Sequence, residues 1–280
     1  MARIAVIGIC GNSVFLTADH FHENGETLIA NETFEEVGGK GFNQAITTVK
    51  LGATVDFLAA IGDDANGAAC QQAAAQYGLS AHFCVKSGKR TPFAFILTDR
   101  HGENRVTEYK DAELSPDDVL AFEPCIADAD ILLLQHEVPA AVNDAAIRIA
   151  KKHGVKVILN PAPIREVSDD TARAVFAVTP NEQEAAAIDP SRFQNCITTL
   201  GKRGCCIAPD TMIDGLTVTA VDTTGAGDTF NGALAVSLAN GNDLPTACRF
   251  AITAAGLSVT KRGVLAAIPT LEDVERSLPI

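Results

Sequence analysis

The stretch "DTTGAGDTFNGAL", Asp222 to Leu234, gathers Gly225, Gly227, Gly232 and Asp228 at the head of an otherwise apolar helix. Glycine is unfavourable inside a helix, so its repetition there asks for another use. The first turn of a helix carries unpaired N–H groups and a partial positive charge. Glycines let a ligand approach that backbone closely, and the amides of Ala226, Gly227 and Asp228 suit an anion. A carboxylate within such a site repels the anion unless it takes up a proton while negative charge builds beside it. That combination fits phosphoryl transfer, with Asp228 as base toward a hydroxyl and the amides around the transferring group. The same residues also fit a plain Gly-rich turn in which Asp228 only favours the helix dipole.

A second Gly-rich stretch, "VGGKGFNQA", sets Gly38, Gly39 and Gly41 ahead of a helix bearing Asn43 and Gln44. Rigidly held amides together with Asn43 suit the hydroxyls of a polyol, which need both donors and acceptors. A simple strand-to-helix turn is the alternative.

These residues need a scaffold, and the hydrophobic pattern supplies one. "RIAVIGI", "TVDFLAAIG", "ILLLQ", "VKVILN" and "AVFAVTP" read as buried strands. Between them the spacing predicts helices over 42–51, 65–77 and 140–153, each followed by a glycine that stops it. The last third reads as helical over 226–239, 244–260 and 271–278. Strand–helix alternation predicts an α/β fold, a doubly wound and mostly parallel sheet with helices on both faces. Two stretches, about 14–37 and 92–110, instead alternate apolar and polar residues. They are expected to form exposed antiparallel strands, a small β lid on a single domain spanning 1–280.

The 280 residues, 47% hydrophobic and 20% charged, suffice for a sizeable core. A net charge of −13 argues against nonspecific binding to nucleic acid or to an anionic membrane. No apolar run reaches the roughly 18 residues of a membrane span, and "MARIAVIGIC" does not read as a signal peptide. Eight cysteines without a C-x-x-C pair or clustered histidines read as reduced thiols, not as a zinc site. A cytoplasmic protein is expected.

The two glycine-rich stretches together resemble the paired signatures of the ribokinase family, the PfkB carbohydrate kinases. "QHEVP", "NPAP", "TPNEQEA", "TTLGKRG" and "SVTKRGVLAAIP" resemble further family blocks, in family order along nearly the whole chain. The resemblance implies an ATP-dependent kinase acting on a small sugar or related polyol. It makes Asp228 the base, with Gly225, Ala226 and Gly227 as the anion hole. It assigns Gly39, Lys40, Gly41, Asn43 and Glu137 to the sugar, and Thr199, Gly201, Lys202 and Gly204 to the nucleotide. Asn181 and Glu184 would serve phosphate and Mg²⁺, Glu184 through metal-bound water. Asp222, Thr224 and carbonyls near Ser258, Lys261 and Gly263 resemble a monovalent-cation loop for K⁺. An exposed lid invites a homodimer.

The chain also departs from the family pattern. Ser13 stands where an aspartate usually grips two sugar hydroxyls, so Asn12 or Ser13 is left to make an uncharged contact and ribose is expected to be a poor substrate. Phe42 replaces a smaller residue, Ala267 replaces a serine, and a helical stretch is expected to be missing before "CITTLG". Two alternatives keep the fold, a non-catalytic sugar or nucleotide sensor and a nucleoside kinase. A dinucleotide-binding Rossmann enzyme needs G-x-G-x-x-G after the first strand, and "VIGICGN" lacks that spacing.

Overall fold

The apolar runs lie side by side in a computed structural model that describes residues 1–278. The chain begins with β1 (Arg3–Ile7), β2 (Gly11–Thr17), β3 (Glu32–Gly38), α1 (Lys40–Lys50), β4 (Thr54–Gly62), α2 (Ala65–Gln76) and β5 (Ser80–Lys86). Next come β6 (Phe93–Thr98), β7 (Asn104–Tyr109), α3 (Pro116–Ala121), α4 (Glu123–Ala127), β8 (Ile131–Gln135), α5 (Ala140–His153) and β9 (Lys156–Asn160). Then follow α6 (Asp169–Ala174), β10 (Ala177–Val178), α7 (Glu182–Ala187), β11 (Ile197–Thr199), β12 (Cys205–Ile207) and β13 (Thr211–Ile213). Helices α8 (Ala226–Ala239), α9 (Leu244–Ser258) and α10 (Leu271–Ser277) complete the described residues.

The main sheet has the order β10-β9-β8-β1-β4-β5, and every pair in it is parallel. Alternate residues of a strand point to opposite faces. Ile4 and Val6 of β1 therefore join a core with α1, α8 and α9, while Ala5 and Ile7 join a second core with α3 and α5. Both faces are covered, which is why these strands read as continuous apolar runs. Strand order reverses between β1 and β8, and in such sheets that switch point opens a crevice beyond the carboxyl ends of the strands.

The lid is a four-stranded sheet in the order β3-β2-β6-β7. Its outer pairs are antiparallel as expected, but β2 and β6 run parallel. They come from separate excursions that leave the body in the same direction, which alternation within either stretch does not reveal. Residues 19–31, inside the expected lid segment, hold no strand.

Two other expectations need correction, and one sheet was not expected. "AVFAVTP" supplies a strand only at Ala177–Val178, because Asp169–Ala174 is a helix capped by Ser168. Helix α9 stops at Ser258, two residues early. A third sheet, β11-β12-β13, is absent from the sequence reading, since three-residue strands carry too little periodicity to detect. Before β11 only one 3₁₀ turn, Pro190–Arg192, follows α7, in keeping with the expected missing helix.

Candidate active site

The head of α8 explains its glycines. Gly225 caps the helix at φ 75°, and a Cβ there would lie 2.5 Å from Val264 Cγ1. Gly232 lets α8 pack against α1, since a Cβ there would come 2.6 Å from Thr47 Cβ. That close approach delivers two amides of α1 to Asp228. Asn43 Nδ2 donates to Oδ2 at 2.9 Å, and Gln44 Nε2 donates to Oδ1 at 3.1 Å. Asp228 is buried, with each carboxylate oxygen held. The Ala226 N–H turns to Thr223 O at 3.3 Å, so it is not the open amide the sequence suggested. Gly227 and Asp228, in the first turn, keep the amides without intrahelical acceptors.

Below Asp228 runs a buried polar network of which sequence analysis named Gln44 but not its partners Gln135, Asn160, Thr179 and Asn231. Gln135 Nε2 donates to Gln44 Oε1 at 2.6 Å, and Gln44 Nε2 also reaches Asn160 Oδ1 at 3.3 Å. Thr179 Oγ1 donates to Asn231 Oδ1 at 2.6 Å, and Asn231 Nδ2 to Gly227 O at 2.8 Å. Gln135 and Asn160 are the last residues of β8 and β9. A polar residue ending an apolar parallel strand was the available signal, because such ends face the crevice.

A cleft under the lid holds the expected sugar residues together: Gly39, Lys40, Asn43 and Glu137 line it with Ser13 and Asp228. Gly39 has φ 106°, and a Cβ there would meet Ile9 O at 2.7 Å. The turn it permits lets the Lys40 N–H donate to Glu137 Oε2 at 2.8 Å. Gly41 lies just inside, against Gly8, where a Cβ would come 2.6 Å from Gly8 Cα. Asn43 Oδ1 is buried without a partner. It and Ser13 Oγ each lie 3.6 Å from the point a Gly38 Cβ would occupy, so an acceptor and a hydroxyl flank one spot. Asn12 is otherwise engaged, its amide donating to Glu35 Oε2 at 2.7 Å. Phe42 turns away from the cleft into the core, 5.8 Å from the Phe57 ring.

Burial pushes the Glu137 carboxyl up to about 7, with Asp228 and Glu108 adding to the rise and Lys40 opposing it. Lys40 is held above its ordinary value chiefly by the Asp228 carboxylate, against its own burial. A raised acid contributes stability below its unfolded value near 4.5 and loses that contribution as pH rises through about 7. Glu137→Gln is therefore expected to raise Tm at about pH 8 and to change it little at about pH 5, as thermal melts at the two values will show. A lower Tm for the variant at the higher pH would contradict this assignment.

A second cleft lies on the other side of the α8 head. Thr199, Gly201, Lys202 and Gly204 line it together with Ala226 and Gly227, and Leu216, Val218 and Ile252 make an apolar wall. Asn181 and Glu184 line neither cleft but form a capping box for α7: Glu184 Oε2 accepts from Asn181 N–H at 2.9 Å, and Asn181 Oδ1 from Glu184 N–H at 2.8 Å. Burial raises the Glu184 carboxyl.

The expected cation-loop residues converge in part. Asp222 accepts from Thr224 N–H at 2.9 Å and from Gly263 N–H at 3.2 Å, drawing two loops together. Ser258 is buried with its hydroxyl on Ala255 O, Lys261 is exposed, and Ala267 is buried without a side-chain oxygen to offer. Among the described residues Asp56, His82 and Cys125 gather within 4.8 Å, near the starts of β4 and β5 and away from Asp228. None of the described helices is long and apolar enough to cross a membrane.

Two clefts share one helix N-terminus, with a held carboxylate lining the first, an arrangement that suits a phosphotransferase with an alcohol group as acceptor. Comparison with known proteins agrees. The family model for pfkB family carbohydrate kinases matches residues 1–271. A ribokinase of Haemophilus influenzae is 35% identical over 294 residues, covering 96% of each chain. The ribokinase structure from Thermotoga maritima shares 31% identity at a TM-score of 0.88 and 99% coverage of both chains. That of Arabidopsis thaliana ribokinase, complexed with ribose and ATP, shares 25% identity at a TM-score of 0.87 and covers 100% of both. The chain belongs to the pfkB family of carbohydrate kinases, and its activity is that of an ATP-dependent sugar kinase.

Proposed function

We propose that the protein transfers the γ-phosphate of ATP to a hydroxyl of a small neutral sugar, with Asp228 accepting the hydroxyl proton. The observation that carries this reading is the head of α8: Gly225 and Asp228 line the lid cleft, while Ala226 and Gly227 line the other. A hydroxyl in the first cleft and a terminal phosphate in the second meet across the first helical turn. Asp228 orients the hydroxyl, and the Gly227 and Asp228 amides face the transferring group. Asn43 Oδ1 and Glu137 accept from other sugar hydroxyls, and the Lys40 charge favours the anions beside it. The apolar wall suits an adenine ring, and Lys202 suits its phosphates.

Mg²⁺ would come with the nucleotide and spread the phosphate charge. Glu184 fits contact through metal-bound water, because one oxygen is committed to its cap and Mg²⁺ keeps most of its water. For K⁺, Asp222 already joins the two loops, so carbonyls around 258–263 would hold the ion and steady the α8 head. Exposed Phe95, on the face of the lid away from the cleft, and the open edges of β3 and β7 support a homodimer through the lid. Eight free thiols suit the cytoplasm, and the net charge of −13 suits a partner other than nucleic acid.

The test is a coupled ADP-release assay over pentoses, hexoses and nucleosides, with and without excess EDTA. A pentose or hexose is expected to be turned over, with ribose bound weakly, and chelation to abolish turnover. Turnover of nucleosides alone would favour a nucleoside kinase, no turnover at all a sensor, and full activity in EDTA would remove Mg²⁺ from the scheme.

A further inference from the structure

Ser13 leaves β2 without the expected carboxylate, yet the lid carries two in the same row. Register across the lid places Glu36, Ser13, Ala94 and Glu108 opposite one another on β3, β2, β6 and β7. Directly opposed residues share a face, and all four line the lid cleft. The two carboxylates of this row are differently employed. Glu36 has both oxygens committed to the body, accepting from Val264 N–H at 3.0 Å and Leu265 N–H at 2.9 Å. Glu108 bonds only Lys110, whose Nζ lies 3.1 Å from Oε2. Lys110 Nζ in turn donates to the Glu137 main-chain O at 3.2 Å. The Glu108–Lys110 pair, which lines the lid cleft, is thus anchored to the sugar site, and among the described residues Glu108 Oε1 has no hydrogen-bond partner.

We propose that Glu108, steadied by Lys110, is a specificity-determining residue that binds the end of the acceptor remote from the phosphorylated hydroxyl. This inference rests on the sugar-kinase reading above. The pair has an accepting carboxylate oxygen beside a donating ammonium, and a hydroxyl is the group that uses both. Ser13 and Ala94 are small and leave the trough beside Glu108 open. Strands lie about 4.8 Å apart, so Glu108 stands roughly 10 Å across the lid from Ser13. The grip has therefore moved along the lid, and the acceptor it fits is a neutral polyol presenting hydroxyls toward β7. A phosphorylated sugar is disfavoured, because Glu36, Glu108, Glu137 and Asp228 outnumber Lys40 and Lys110.

The test uses D-ribose and the fastest sugar of the assay panel as probes, with steady-state kinetics on the unaltered protein, Glu108→Gln and Lys110→Met. Loss of a charge-assisted hydrogen bond is expected to raise the acceptor KM of Glu108→Gln about 10- to 100-fold. Its kcat and ATP KM are expected to stay within about three-fold, which also reports that the variant is folded. Lys110→Met is expected to raise the same KM by a smaller factor. An acceptor KM within about two-fold of the original for Glu108→Gln, or an equal loss in ATP KM, overturns the proposal. If the unaltered protein phosphorylates no sugar of the panel, the reading beneath it falls first, and this inference with it.

Discussion

Asp228→Asn is expected to lower kcat by about 10²–10⁴-fold on any acceptor the unaltered protein phosphorylates, the usual worth of a general base. A sugar hydroxyl is a poor nucleophile at neutral pH, and its proton has to leave as the bond to phosphorus forms. The substitution is a clean one because the surrounding amides can adapt. Gln44 is fixed by Gln135 and Asn160, so the Asn side chain presents its oxygen to Gln44 Nε2. Its NH₂ then faces Asn43, whose unpartnered Oδ1 accepts after a flip of that amide. No buried donor is stranded, and Tm is expected to hold. The flip turns Asn43 Nδ2 toward the sugar, so acceptor KM rises modestly while ATP KM does not. Single-turnover rates with saturating ATP make the measurement, and a kcat within a few-fold of the original would remove Asp228 from the chemistry.

Gly227→Val is expected to damage ATP use and turnover together, with kcat/KM for ATP falling about 10²–10³-fold, the scale of losing one preorganised amide donor. A Cβ on Gly227 meets nothing within 4 Å, so the fold accommodates it. The open space is part of the cleft lined by Ala226 and Lys202, and branched methyls there hold a phosphate off the two free amides. Valine is also the better helix residue, so Tm is expected to stay or rise. This separates Gly227 from Gly225, where the φ of 75° and Val264 leave no room for a side chain. Calorimetric titration with a nonhydrolysable ATP analogue checks the binding half. Unchanged affinity there would mean the phosphate is held elsewhere.

Much of this was legible in order along the chain. The strands at 54–62 and 131–135 and the helices at 140–153 and 226–239 emerge at their expected bounds. Each is long enough for a clear period and ends on a stop signal or an apolar boundary. The chemistry proposed for the α8 head could be argued from sequence for the same reason: consecutive residues would carry it, and a helix N-terminus has fixed properties wherever it sits. The family resemblance extended that reading to Glu137 and Lys202, which no local pattern marks.

Other features depend on partners far along the chain. That the Ala226 amide is spent on Thr223 O is a matter of turn geometry, and nothing in "TTGAGD" decides it. Gln135 and Asn160 look like ordinary strand ends until the β1–β8 switch point sets them beneath Asp228. The parallel pairing of β2 with β6 joins segments some eighty residues apart in the chain. Together with the β6–β7 hairpin it puts Glu108 in the row of Ser13. Sequence determines what lies within one element, because periodicity and capping act over a few residues. Which carboxylates share a cleft is decided when distant elements pack, since hydrogen bonding and side-chain burial depend on separation in space and not along the chain.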